Sequence, residues 1–354
     1  MKKINLAIVG YGGMGAYHST AFLKNNEKFE ISAIYDIDKT RYEIAKNNQL
    51  NCKFCNTKEE ISNNKNIDAV LIATPNDTHL GLVKYFAKSG KHIICEKPVA
   101  LTLVEYKEMV ETCKNCGVVF TVHQNRRWDS DFLTIKNICE SGEIGEITRI
   151  ESRVQGGNGI PGDWRKFKEN GGGMMLDWGV HLIDQAVCTL GVPESIYCSF
   201  SYNQGFEVDD GFNLIMNYKN RLIYEIVVDT NCFIPLPRWM VYGKSGTAKI
   251  DDWNLNGKII KPVYSKDLKI AGITAGNGFT KTMAYRTAES VQELPLKIVY
   301  SENNAFYNEF YSMVINGKEP YIKECEVASV MKLMELAKLS AQQNKLIYLE
   351  NAYD

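Results

Sequence analysis

Ile4-Asn5-Leu6-Ala7-Ile8-Val9-Gly10-Tyr11-Gly12-Gly13-Met14-Gly15 carries an apolar strand into a turn of spaced glycines and on into a helical pattern. Gly10 suits the tight turn, Gly12 lets backbone approach a pyrophosphate at a helix N-terminus, and Gly15 lets helix and strand pack closely. Gly13 and Met14 complete the loop that would face the phosphates. Asp36 follows 21 residues after Gly15, at the end of the next β-rich run, where a carboxylate can accept both hydroxyls of an adenosine ribose. A 2′-phosphate there would meet a like charge, so the expected cofactor is NAD rather than NADP. Arg41, one helical turn on, is the residue that could still tolerate the phosphate.

The alternation continues to about residue 125. β-rich runs at 4–9, 29–35, 69–73, 92–95 and 118–122 alternate with helical patterns near 14–24, 38–48, 57–63, 78–89 and 102–115. Apolar strands separated by helices predict a parallel sheet covered on both faces, the doubly wound Rossmann arrangement. Thr74-Pro75-Asn76 follow the run at 69–73, at the carboxyl edge where cofactors bind in such folds, although Asp77 or Thr78 could equally cap the next helix. Beyond Trp128 come a helix (131–141), a strand (146–154), two glycine clusters (Gly156-Gly157 and Gly171-Gly172-Gly173) and a helix (174–190). Strands at 196–202, 212–218, 222–229 and 239–243 then alternate apolar and polar residues. Lys219-Asn220 and Lys244-Ser245-Gly246 read as hairpin turns, which leave no room for crossover helices. This half is therefore expected to be an α+β domain on a large, mostly antiparallel or mixed open sheet. One face of that sheet would be free for a partner subunit. Residues 251–300 are poorly patterned, and helices near 303–316 and 325–343 close the chain. The expected domains are 1–125 and 126–354.

A chain of 354 residues asks for about two domains. Lys+Arg 41 against Asp+Glu 42 leaves a formal charge of -1, with no cationic surplus to neutralise nucleic-acid phosphates or an anionic membrane surface. No apolar run approaches the ~20 residues that span a bilayer, and the run after Lys2-Lys3 passes into glycines too soon for a signal peptide. The expectation is a soluble cytoplasmic protein with reduced thiols. Two Cys-x-x-Cys pairs, Cys52/Cys55 and Cys113/Cys116, raise a zinc reading. The first lies on a strand-like stretch that points the two thiols to opposite faces, and the second ends a helix, so both fit better as apolar filler. No metal is expected.

Glu96-Lys97-Pro98 follows the run at 92–95, and Asp177 and His181 stand four apart on a helix and would share a face, continued by Asp184 and Cys188. Oxidising a secondary alcohol needs a base for the hydroxyl proton, and imidazole, with an ordinary pKa near ~6.5, suits it. The glycine motif, Asp36, Thr74-Pro75, Glu96-Lys97-Pro98 and Gly171-Gly172-Gly173-x-x-x-Asp177-x-Gly179-x-His181 resemble, in order and spacing, the Gfo/Idh/MocA family of NAD(P)-dependent oxidoreductases over essentially the whole chain. The segment Gln124 to Leu133 is similar to the branch that holds scyllo-inositol dehydrogenases and sugar dehydrogenases. The resemblance implies that Lys97 lies beside nicotinamide and substrate, that Glu96 belongs to the same cofactor-side segment, and that the Lys97–Pro98 bond is cis.

On this basis His181 is expected to take the hydroxyl proton, Asp177 to orient the imidazole and stabilise its cation, and Lys97 to hydrogen-bond the substrate oxygen. Lys97 is the competing base. Asn125, Arg126, Arg127 and the loop Asp163-Trp164-Arg165 offer polar groups and an indole face for sugar or cyclitol hydroxyls, while either arginine could instead be a domain-linker ion pair. The expected function is NAD-dependent oxidation of a sugar, glycoside or cyclitol alcohol by a homo-oligomer, dimer or tetramer, formed through the C-terminal sheet. The rivals are a redox-assisted, NAD-dependent glycosidase and a non-enzymatic NAD or sugar sensor.

Overall fold

The computed structural model describes residues 2–162, 164–263, 272–283 and 286–349. Strand β1 (Ile4–Val9) is buried at nearly every position because it lies in the middle of a parallel sheet. The other strands are β2 (Phe29–Tyr35), β3 (Lys53–Cys55), β4 (Ala69–Ile72), β5 (His92–Cys95) and β6 (Phe120–Val122), in the order β3-β2-β1-β4-β5-β6. Helices α1 (Gly13–Tyr17), α2 (Arg41–Asn47), α3 (Glu59–Ser62), α4 (His79–Lys88) and α5 (Leu103–Asn115) join them. Strand order reverses between β1 and β4, so the loops after them, at Gly10 and Thr74, flank the crevice where doubly wound sheets bind ligands. The first helix does not stay α-helical: after Tyr17 it widens into a π-type turn at His18–Leu23.

The second half holds a nine-stranded sheet. Its members are β7 (Ile147–Gln155), β8 (Ser195–Ser201), β9 (Gly211–Asn217), β10 (Ile223–Asp229), β11 (Trp239–Gly243), β12 (Gly246–Ile250), β13 (Gly257–Pro262), β16 (Val291–Pro295) and β17 (Ile347–Tyr348). A small hairpin, β14 (Ile273–Ala275) with β15 (Gly278–Thr280), stands apart. The order is β16-β13-β12-β11-β7-β10-β9-β8-β17, and every neighbouring pair is antiparallel except β7 with β10. Thus the weakly patterned stretch 251–300 supplies two strands of the main sheet. The period-two alternation has its cause in one-sided burial: Tyr224, Ile226 and Val228 of β10 are buried in the core formed with α6 (Ser130–Ser141), α7 (Val180–Leu190) and α9 (Glu324–Gln343). The opposite face carries a charged ladder in which Arg149 pairs with Glu151 and Glu225, and Arg153 with Glu151.

Two hydrophobic cores result, but they do not divide the chain simply at 125. Helix α8 (Ala305–Asn316), on the far side of the expected boundary, puts Phe306, Tyr307, Phe310 and Tyr311 into the core of the parallel sheet, where Tyr307 meets Phe29 at 5.4 Å and edge-on. Each such buried aromatic is worth about 1.5–3 kcal/mol over an exposed one, which draws the helix back across the molecule. Ile322, Val327 and Met331 join the same cluster, whereas Val330, Leu333 and Met334 serve the other, so α9 bridges both cores.

Candidate functional site

The glycine loop forms an open cradle. Gly10 adopts φ +89, and a Cβ there would sit 2.6 Å from the Ala73 carbonyl; a Cβ at Gly15 would sit 2.1 Å from the Gly10 carbonyl. Neither position has room for a side chain. By contrast Gly12 and Gly13 have nothing within 4 Å of an added Cβ, which leaves their backbone facing free space at the start of α1, beside Met14. The Asp36 carboxylate is fixed by the N–H of Tyr11 (2.6 Å) and of Asp38 (2.8 Å). Arg41 points its Nε at Asp38 (3.3 Å). Across the crevice, Thr74 shares a hydroxyl hydrogen bond with Thr78 (2.6 Å), Pro75 precedes a short helical turn at Asn76–Thr78, and Asn76 is buried with its Nδ2 unpartnered.

Lys97 leaves the end of β5 through a cis Lys97–Pro98 bond. Its Nζ donates to the Asp177 carboxylate and to the Asp177 carbonyl, each at 3.1 Å, while Arg165 Nε donates to the other carboxylate oxygen at 3.1 Å. Burial alone would raise the Asp177 pKa, but the charges of Lys97 and Arg165 and their hydrogen bonds outweigh it and hold the carboxyl below its ordinary value. His181 is buried, with Nδ1 lacking a partner, and its edge faces Trp178 with centroids 6.1 Å apart. Burial first, then the charges of Lys97 and Arg126, hold its pKa well below the ordinary imidazole value, so the ring is neutral at pH 7.

The expected Asp177–His181 bond is absent, and the local backbone explains why. Residues Met175–Gly179 form a π-type turn before α7 begins at Val180, so the four-residue spacing no longer aligns side chains on one face. Asp177 aims Lys97 instead. The same helix face is split further along, because Asp184 accepts both Nε (2.8 Å) and Nη2 (2.6 Å) of Arg127. Arg127 also donates to Glu326 at 2.7 Å and is only 1% exposed. It is an internal tie between the second half's helices and not a group that substrate can reach. Its neighbour Arg126 faces the other way, bonded to Asp129 (2.8 Å) and stacked 4.3 Å from the Trp178 ring. Asn125 is half-buried at the head of the same short helical turn, Asn125–Trp128. Trp164 is half-buried under the Arg165 guanidinium at 4.7 Å; Asp163 lies outside the described residues.

The partners of the motif residue Glu96, namely His18 and His123, belong to no motif themselves. Glu96 is buried and accepts from His18 Nε2 (2.6 Å) and His123 Nδ1 (2.7 Å) on one oxygen, and from the Lys97 N–H (3.0 Å) on the other; His18 Nδ1 meets the Tyr307 hydroxyl. Burial would raise the Glu96 pKa, yet the two imidazoles hold it well below its usual range. Among the described residues this is the one cluster with metal-like donors, but N–O distances of 2.6 and 2.7 Å are direct hydrogen bonds with no space for an ion between. The Cys-x-x-Cys pairs form no metal cluster among the described residues, and burial pushes Cys52 up to about 11 and Cys113 up to about 12, away from thiolate. Beyond Arg126 a cavity of about 370 Å³ opens, lined by Trp178, Trp253, Gln155, Asn158, Asp229 and Thr230 among others. Trp253 falls in the stretch where no sequence pattern pointed to it.

Similarity to known proteins agrees with this geometry. Residues 4–124 match the oxidoreductase family with NAD-binding Rossmann fold, and 132–249 match the GFO/IDH/MocA C-terminal domain. A crystal structure of an NAD-binding protein from Listeria innocua is 42% identical, covers 98% of this chain and 100% of its own, and superposes with a TM-score of 0.94. A scyllo-inositol 2-dehydrogenase (NADP(+)) of Bacillus subtilis is 26% identical over 82% of this chain and 87% of its own. A 2,7-anhydro-N-acetylneuraminate hydratase of Escherichia coli is 30% identical over 54% of this chain and 51% of its own. No helix among the described residues is long and apolar enough to cross a membrane. With both halves matched and a relative at 42% identity over nearly its whole length, the chain belongs to the Gfo/Idh/MocA family of oxidoreductases.

Proposed function

We propose that this oxidoreductase is an NAD-dependent dehydrogenase of a secondary alcohol on a sugar, glycoside or cyclitol, with Lys97, Asp177 and His181 at the reacting carbon. One observation carries the proposal: Lys97 Nζ, held by two Asp177 oxygens at 3.1 Å each, lies close enough to depress the neutral, buried His181, whose Nδ1 has no partner. A dinucleotide fits the residues present. Gly10, whose N–H is bonded to the Tyr35 carbonyl, and Gly15 shape the turn, Gly12, Gly13 and Met14 open α1 toward free space where a pyrophosphate would sit, the unpartnered Asn76 Nδ2 lies across the crevice beside Thr74 and Pro75, and Asp36 provides the ribose carboxylate. The Asp36 charge and the turning of Arg41 toward Asp38 support NAD over NADP. When bound, the nicotinamide supplies the hydride acceptor.

The chain's own residues do the rest. Neutral His181 accepts the hydroxyl proton. Lys97, aimed by Asp177, donates to the oxygen as it gains negative charge. Glu96 fixes the start of this segment by accepting the Lys97 N–H. Arg126, Asn125, Trp164 and Arg165 stand on the substrate side. Ten free cysteines fit the reducing cytoplasm, and the open sheet face, with its charged ladder, is the surface proposed to join subunits.

The test is a screen of purified protein for NADH formation across polyols, free sugars and glycosides, with aglycone release measured in the same wells and initial rates compared for NAD and NADP. Oxidation lost in both Lys97→Met and His181→Ala supports the assignment. Aglycone release without net NADH would make the chain a redox-assisted glycosidase. Full turnover in both variants, or no carbohydrate oxidised or cleaved, would overturn it, and a clear NADP preference would sink the role given to Asp36.

A further inference from the structure

The cavity beyond Arg126 shares its walls with the proposed reaction centre. Trp178 adjoins Asp177 in sequence and faces His181 edge-on, and the Arg126 charge is felt at His181. Yet Lys97 and His181 do not line the cavity itself. It extends the site outward rather than repeating it.

Its lining has the makeup of a sugar platform. Trp253 is 51% exposed although its ring lies 6.0 Å from that of Trp178 and 4.8 Å from the Arg238 guanidinium, so a large apolar surface is held rigidly in water. Such a face takes the C–H side of a pyranose ring. Around it stand groups that read hydroxyls: Asn158, Thr230 and Asp229, with Arg126 Nε buried and unpartnered at the inner end. By its charge alone Arg126 suits an acid sugar, but it is already paired with Asp129, and Asp229 in the wall would repel a carboxylate. A neutral polyhydroxylated ring satisfies both. At about 370 Å³ the cavity is at the small end of the ~300–1,000 Å³ of ligand sites, which suits one ring and not an oligosaccharide chain.

From this we infer that the cavity between Trp178, Trp253 and Asn158 is a subsite for a second neutral sugar ring, and that the substrate is a disaccharide or glycoside whose oxidised ring lies at Lys97 and His181. The inference rests on the carbohydrate-dehydrogenase reading of that centre. A cyclitol or free monosaccharide would leave the Trp253 platform bare.

The experiment compares matched neutral monosaccharides and disaccharides with the NAD-loaded protein, by NADH formation and by calorimetric binding, in the parent, Trp253→Ala and Asn158→Ala. Both positions are exposed, and unchanged circular dichroism checks that the variants fold. The expected result is a disaccharide kcat/KM about 10-fold above that of the monosaccharide, lost in Trp253→Ala, with weaker disaccharide binding there and in Asn158→Ala and no change for the monosaccharide. Equal use of both sugars, or variants that affect both alike, would overturn the subsite while leaving the dehydrogenase intact. If neither sugar is oxidised, cleaved or bound, the dehydrogenase reading falls and the subsite with it.

Discussion

Replacing Arg127 separates a structural arginine from a substrate-binding one. Arg127 makes three charge-assisted hydrogen bonds, at 2.6 and 2.8 Å to Asp184 and 2.7 Å to Glu326. Of the two acids, the Asp184 side chain is 2% exposed and the Glu326 side chain 24%, so in Arg127→Met only Glu326 can turn to water. Asp184 is left as a buried, uncompensated carboxyl. Breaking a buried pair in this way costs about 3–5 kcal/mol. At ~2–4 °C per kcal/mol for a unit of this size, the melting temperature should fall by about 6–20 °C. The deficit should also depend on pH. Burial already raises the Asp184 pKa against the pull of Arg127; without the guanidinium it rises further, the folded form binds more protons than the unfolded, and stability drops as pH climbs. The loss is therefore smaller at pH 5 than at pH 8. Adding Asp184→Leu removes the orphaned acid and should restore most of the stability. The assay is differential scanning fluorimetry at both pH values, paired with kcat/KM of the folded enzyme below its melting range, which should change less than about 3-fold. An unchanged melting temperature with turnover lost would refute the reasoning and return Arg127 to the substrate.

Three further outcomes follow from the same geometry. Because burial and the Lys97 and Arg126 charges lower the His181 pKa, the acid limb of kcat/KM should lie below pH 6.5 and move upward in Lys97→Met, whose residual rate should be ~10²–10⁴-fold lower; a limb that stays put would exclude His181 as the titrating base. Gly15→Ala places a Cβ 2.1 Å from the Gly10 carbonyl and should weaken NAD binding at least 10-fold in a fluorescence titration, whereas Gly12→Ala, with free space around it, should still fold with an unchanged melting temperature. Asp209, pushed up to about 7 by burial despite accepting the Met175 N–H at 2.7 Å, binds a proton in the folded state that the unfolded chain releases near ~3.9, so it lowers stability progressively from about pH 4 to 7; melting curves of Asp209→Asn should lack that part of the slope.

Local rules made much of this molecule legible. The glycine loop, the β/α alternation and the two hairpins each depend on neighbours close in sequence, and the sheets follow from them. Where geometry depended on distant packing, the sequence misled. Asp177 and His181 were separated by a π-type turn that nothing in their spacing announces, and the acid went to Lys97 on another element. Arg126 and Arg127 are indistinguishable as letters, but one stacks on Trp178 and the other is sealed against Asp184. Trp253 and the His18–Glu96–His123 network have no local signature, since their partners stand far off in the chain: Glu96 lies 78 residues from His18, and Trp178 lies 75 residues from Trp253.

The return of α8 matters beyond stability. His18 and Tyr307 touch across 289 positions, so the core of the parallel sheet is finished only by a segment made long after its strands. A nascent chain stopped after β6 would present Phe29 and its neighbours without their aromatic cover and would need to be shielded until residue 311 emerges. The same closure constrains recombination between relatives. A single crossover near residue 125 would join one protein's parallel sheet to another's α8, whereas a pair of crossovers, near 125 and near 300, would exchange the large sheet as a cassette and keep each aromatic lid with the sheet it evolved to cover.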